Sequence, residues 1–432
     1  MRGRKIRRLT VAAVVLGLAT TTASVSSAGA LEGSSDNGSA DWVGSWATGL
    51  AHGNATGSTN AGFNNQSVRL IVRPTVGGNQ IRIRLSNIYG DGPITIGHAT
   101  VALPNNATPE QSDINPDTLR QLTFNGATQL VAPKGTELLS DPVDMAIEDF
   151  QTLVVSVYFP TPTGPTTFHG TSRQTNFVGA TDLTNEAGGA GFTITRTCCW
   201  FFLAGVDVLR HKANGAVVVL GDSIADGNGT TLDANRRWPD LLAERLVEDT
   251  PNGKVPSVLN VGMAGNRLTH DGPEPLGAGI PGFNELGVNA LARLNEDVFP
   301  QAGVRTVITH LGINDIWMSN DSADTIVAAL RQINQQIKQR GLRSVVVTLP
   351  PFEGLATVPG AWSPEKEATR LAVNAALRAS TEFDGLIDFD ALLRDPAAPS
   401  KLLPAYDSGD HIHPNDLGNQ VMADSIALNL VR

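Results

Sequence analysis

The sequence predicts two folds in series: an all-β, jelly-roll-like sandwich, then an α/β domain on a five-stranded parallel sheet. Three observations predict it. Between Asp41 and Arg210, apolar and polar residues alternate in short runs broken by turn residues. From position 211 onward, short wholly apolar runs alternate with stretches of helical period. The 432 residues also suffice for two cores, since a single core stops growing near ~250–300 residues.

In the first half, Gln80-Ile81-Arg82-Ile83-Arg84-Leu85 alternates without a break, the period of a half-buried strand. Leu153, Val155, Val157 and Phe159 repeat that period, and shorter runs at 67–73, 94–103 and 192–209 resemble it. Gly77-Gly78-Asn79, Asp91-Gly92-Pro93, Asn105-Asn106 and Thr161–Pro165 lie between them as turn chemistry. Several short strands at this spacing build a sandwich.

The pattern changes at His211–Gly215. Ala216–Leu220, Ser257–Val261, Val304–Leu311, Ser344–Leu349 and Leu386–Phe389 read as buried strands. Helical patterns at Asp324–Gln339, at Pro364–Ser380 and after Pro414 separate or follow them. Apolar strands joined by helices form βαβ units, with a parallel sheet covered on both faces. Five strands suit a flavodoxin-like three-layer sandwich. The predicted organisation is therefore residues 1–30 as a signal peptide, 31–40 as a loose Ser- and Gly-rich terminus, 41–210 as the sandwich and 211–432 as the α/β domain.

The first thirty residues read as an export signal. Arg2, Arg4, Lys5, Arg7 and Arg8 precede the apolar run Val11–Leu18, and Ala28-Gly29-Ala30 fits small-residue cleavage after Ala30. The run is too short to span a bilayer, and no later stretch is long and apolar enough. The expected location is secreted, from a bacterial host. Removing the signal takes five of 32 basic residues and no acid, leaving 27 against 42, a net charge of −15. Such an acidic chain is expected to bind neither nucleic acid nor an anionic membrane.

Cys198 and Cys199 are adjacent, and the chain has no third cysteine. Two readings stand: small buried hydrophobes in a strand, or a vicinal disulfide, which an oxidising compartment favours.

Four short pieces of the second half carry chemistry. Gly221-Asp222-Ser223 follows the first α/β strand, Gly262 the second, and Gly312-Ile313-Asn314 the third. In a parallel sheet these carboxyl ends open on one edge, where ligands bind. Ser223 is a candidate nucleophile. The Ser223 and Gly262 N–H groups and the Asn314 amide are candidate oxyanion donors. The fourth piece, Asp410-His411-Ile412-His413, offers two candidate bases. His413 has an aspartate three residues earlier to orient its far ring nitrogen, whereas His411 has Ser408 there. Asn266, Arg267 and His270, on the loop after Gly262, and His411 are candidate substrate contacts. His411-x-His413 would need a third ligand to hold zinc, and no metal-binding motif supplies one.

With these blocks in order, residues 216–432 resemble the SGNH (GDSL-type) hydrolases. The resemblance implies Ser223, Gly262, Asn314 and His413 as that family's four named residues, with no cofactor and no metal. The β-rich half resembles the accessory domain of secreted members similar to carbohydrate acylesterases. The expected activity is hydrolysis of carboxylic esters through an acyl-enzyme on Ser223. The expected substrates are short-chain acyl esters of carbohydrates, polysaccharides included, or small aryl esters. The alternatives are a lipase or phospholipase acting on longer chains, a metallohydrolase, and a glycan-binding protein that has lost catalysis.

Overall fold

A computed structural model describes residues 40–432 except 106–107, 196–197, 251–253, 277–279 and 358. The expected signal peptide and all of the loose terminus but Ala40 lie outside the described residues. Ala40 opens a strand, Ala40–Ala47. Residues from Ser39 to Arg432 form one compact unit. Among the described residues, no helix is long and apolar enough to cross a membrane.

Among the described residues, two larger antiparallel sheets make up most of the first half. In one, Ala40–Ala47, Leu203–His211, Gly78–Ser86 and Val143–Ile147 pair in that order, with Glu137–Leu139 added to Gly78–Ser86. The other runs Phe192–Thr195, Asn176–Ala180, Gln66–Val72, Leu153–Phe159, His98–Ala102 and Arg120–Gln121. The alternation that predicted these strands is the pleat: Ile81, Ile83 and Leu85 are buried, as are Leu153, Val155, Val157 and Phe159. A small third sheet joins Trp200–Phe201, Thr167–His169 and Ala51–His52.

The second half is the expected parallel sheet, in the order Ser257–Asn260, Ala216–Gly221, Val304–His310, Arg343–Val347, Gly385–Ile387. That places the second strand outside the first, the flavodoxin-like order. Ala216–Gly221 is buried at every residue, as a central parallel strand covered by helices must be. Ala323–Gln339 is N-capped by Ser322, and Pro364–Ala379 by Ser363 with Pro364 in its first turn. The last helix, Asp416–Ser425, starts two residues beyond Pro414, because Asn415 is its cap and accepts from the Gly418 N–H.

The halves share one continuous apolar core. Thr75 of the sandwich reaches the edge strand of the parallel sheet: its hydroxyl donates to the Val258 carbonyl and accepts from the Val258 N–H, both at 3.2 Å. An otherwise unpaired sheet edge is thereby satisfied and hidden. The connection after Leu203–His211 is also held, since Gly215 accepts from the Ser257 N–H and Ala216 donates to the Gly303 carbonyl. Limited proteolysis is therefore expected to spare residues 210–216, and residues 214–432 expressed alone should be inactive. Rapid cleavage there, releasing a fully active second half, would refute this rigid junction.

Candidate active site

The carboxyl end of Ala216–Gly221 turns into the one-turn helix Ser223–Asp226. Asp222 caps that helix, its Oδ1 accepting from the Ile224 N–H at 3.0 Å. The turn is tight enough that a Cβ on Gly221 would lie 2.4 Å from the Ala225 Cβ. Ser223 is 5 % exposed, and its Oγ lies 2.8 Å from His413 Nε2. His413 Nδ1 lies 2.6 Å from Asp410 Oδ2. Asp410 Oδ1 accepts from the N–H groups of Ile412 and His413, at 3.1 and 2.9 Å. Burial would raise the Asp410 pKa, but the His413 ring and these two N–H groups hold it well below the usual carboxylate range. An ionised Asp410 keeps the proton on Nδ1 and leaves the Nε2 lone pair for the serine hydroxyl.

The two histidines sit in different surroundings. His411 has a carboxylate of its own, Asp407, 2.6 Å from its Nδ1, but its side chain is half exposed. Its ring lies over Gly354, where a Cβ would meet it at 2.8 Å.

Asn314 is buried, in the helix Ile313–Trp317. Its Oδ1 accepts from Trp317 Nε1 at 2.8 Å, which fixes the amide's orientation, and its Nδ2 donates to the Asn266 carbonyl at 3.0 Å. One Nδ2 hydrogen remains to be given.

Gly262 does not fit the role expected of it. Its N–H donates to Asn260 Oδ1 at 2.9 Å, and Asn260 Nδ2 donates to the Ala225 carbonyl at 2.7 Å. Asn260 thus ties the loop to the serine helix and consumes the N–H. The next glycine on the loop, Gly265, is better placed. Its peptide adjoins the carbonyl that receives Asn314, and its N–H has no acceptor among the described residues. Its φ of +74° is a left-handed conformation that favours glycine. The Ser223 N–H is also without an acceptor among the described residues.

Two of the expected substrate contacts are interior instead. Asn266 donates to the Leu286 and Val288 carbonyls and accepts from Arg293. Arg267 holds Ser319 Oγ and the Asp271 carbonyl. Both are almost wholly buried and shape the loop. His270 is partly exposed, its ring between Glu274 (2.9 Å) and Asp321 (3.1 Å). Burial would lower its pKa, but these carboxylates raise it. Cys198 and Cys199 are bonded to each other, and the buried Cys199 gives its carbonyl to Asn176. Among the described residues, no three His, Cys, Asp or Glu side chains converge to hold a metal.

Two features went unforeseen. An apolar cavity of about 320 Å³ lies beside Asn314, walled by Leu276, Ile280, Phe283, Leu286, Trp317 and Met318. The signal was diffuse, apolar residues on the loop after Gly262 and at the end of the helix Ile313–Trp317, about thirty positions further on. The second is the buried contact of His169 with Asp226 at 2.9 Å, for which the sequence carries no pairing signal at all. Behind the site, burial pushes the carboxyls of Asp222 and Asp315 up to about 7, each raised further by a neighbouring carboxylate.

Residues 219–421 match the family described as GDSL-like lipase/acylhydrolase. No curated protein matches the chain. Among solved structures it is similar to a GDSL-like lipase from Bacteroides thetaiotaomicron VPI-5482, at 14 % identity and a TM-score of 0.35 over 50 % of this chain and 88 % of that one. It is similar to the acetyl xylan esterase AlAXEase, at 18 % and 0.35 over 50 % and 100 %. It is also similar to the psychrotrophic esterase EstA from Pseudoalteromonas sp., at 13 % and 0.34 over 49 % and 93 %.

Proposed function

We propose that this chain, whose residues 219–421 match the GDSL-like lipase/acylhydrolase family, is a carboxylic ester hydrolase, an exported serine esterase whose acyl-enzyme forms on Ser223. The observation that carries this reading is the continuous path from Asp410 through His413 to Ser223, with both ring nitrogens within 2.8 Å of their partners. Ser223 Oγ attacks the ester carbonyl while His413 Nε2 takes its proton. The resulting oxyanion is met by the Ser223 and Gly265 N–H groups and by the second Nδ2 hydrogen of Asn314. Loss of one such donor costs about 2.7–4 kcal/mol in comparable sites. His413 returns the proton to the departing alcohol. Water, deprotonated by His413, then releases the acid and restores Ser223.

The substrates foreseen from the sequence are short acyl esters of carbohydrates or small aryl esters. A second reading, longer acyl chains, is favoured by the cavity beside Asn314. Its walls are almost wholly apolar, which suits the methylenes of an acyl chain rather than a polar group. Each buried methylene would add about 0.8 kcal/mol.

A series of p-nitrophenyl esters from acetate to laurate, run beside acetylated xylan and pectin, separates the readings. Filling of the cavity predicts kcat/KM rising from acetate to a maximum at medium length. A steady fall from acetate would leave only the short-chain reading. A serine-directed phosphonate should label Ser223 and stop turnover while a chelator has no effect, and the reverse pattern would reject the serine mechanism.

A further inference from the structure

We propose that His169 of the sandwich is a positioning residue for ester hydrolysis, holding through Asp226 the loop that presents the Gly265 N–H to the oxyanion. The inference rests on the Ser223 reading above.

Asp226 closes the helix that begins with Ser223, and it is tied in three directions. Its Oδ1 faces His169 Nε2 at 2.9 Å, its Oδ2 accepts from the Ala264 N–H at 3.1 Å, and its carbonyl accepts from Arg237 Nε at 2.7 Å. Ala264 is the residue before Gly265. One carboxylate therefore joins the serine helix, the donor loop and a strand of the other half.

The surroundings of His169 fix its protonation. Nδ1 faces the Gly49 carbonyl at 2.8 Å, and Nε2 faces Asp226 and the Thr171 carbonyl at 2.9 and 3.2 Å. All are acceptors, so both ring nitrogens must donate and the ring is an imidazolium. Burial would lower its pKa, but the Asp226 charge and hydrogen bond and the Gly49 carbonyl raise it. The side chains of His169 and Asp226 are only 2 % and 3 % exposed, and the imidazole packs 5.4 Å from the Trp200 ring. A buried ion pair is weak evidence of stabilisation. One whose carboxylate also grips the loop before an oxyanion donor sets a position. Without His169 the Asp226 carboxylate keeps the Ala264 N–H, with the Arg237 guanidinium nearby, but loses the buried ring that fixes its other oxygen, which loosens its hold on Ala264.

The test uses the full chain and its His169→Gln, Asp226→Asn and double variants. It measures kcat and KM on a p-nitrophenyl ester, thermal midpoint, and the inactivation rate with a phosphonate whose P–O⁻ oxygen occupies the oxyanion position. Because the donors act on the transition state, kcat should fall ~10- to 100-fold with KM within about twofold. The inactivation rate should fall in parallel, and the double variant should be no worse than the worse single one. Folded single variants that both keep kcat within twofold, or that change KM alone, overturn the inference. So does failure of both single variants to fold, since the pair would then be structural. An inactive wild-type chain overturns the Ser223 reading with it.

Discussion

Alanine at position 223 is expected to lower kcat for ester hydrolysis by at least about 10⁴-fold while the fold persists. Only the hydroxyl is lost, and among the described residues its side-chain partner is His413, at 2.8 Å. Neither the Asp222 cap nor the backbone of the helix Ser223–Asp226 depends on it. Circular dichroism and the thermal midpoint should therefore match the wild type while acyl release vanishes. Comparable turnover in a folded Ser223→Ala protein would remove the acyl-enzyme from the mechanism.

The second large effect separates two histidines two residues apart. His413→Gln should reduce kcat by about 10³–10⁵-fold, because general base, general acid and tautomer control are lost together. His411→Gln should cost less than about tenfold, since its ring meets Asp407 and Gly354 and the serine's recorded histidine partner is His413. Equal losses, or a larger loss at His411, would show that the base has been misassigned.

The sequence was most informative where chemistry and backbone geometry coincide. Strands of period two, buried βαβ strands and the Asp-x-x-His spacing all express local constraints. Each appears in the structure within a few residues, as Gln80–Leu85 does inside Gly78–Ser86. Gly262 illustrates the limit. It and Gly265 follow the same strand, and sequence cannot tell which N–H is consumed; that is decided by Asn260 folding back on Gly262. Asn266 and Arg267 turn into the loop's interior. Polar residues near a site can serve the loop's interior as readily as the substrate, and the partners each takes in the fold, rather than its burial, separate the two, since Asn314 is as buried as Asn266. The contact of His169 with Asp226, 57 positions apart, and the apolar cavity are products of tertiary packing, with no local signature.

The separation of Ser223 from its base has a consequence in time as well as in space. The two are 190 positions apart, and the base is steadied by Asp416–Ser425, where Asn419 accepts from the Trp238 N–H and donates to the Pro414 carbonyl. A chain still being synthesised presents Ser223 before the histidine that reaches it has been made. On the proposed mechanism, activity therefore waits until the closing helix has docked and brought His413 to Ser223.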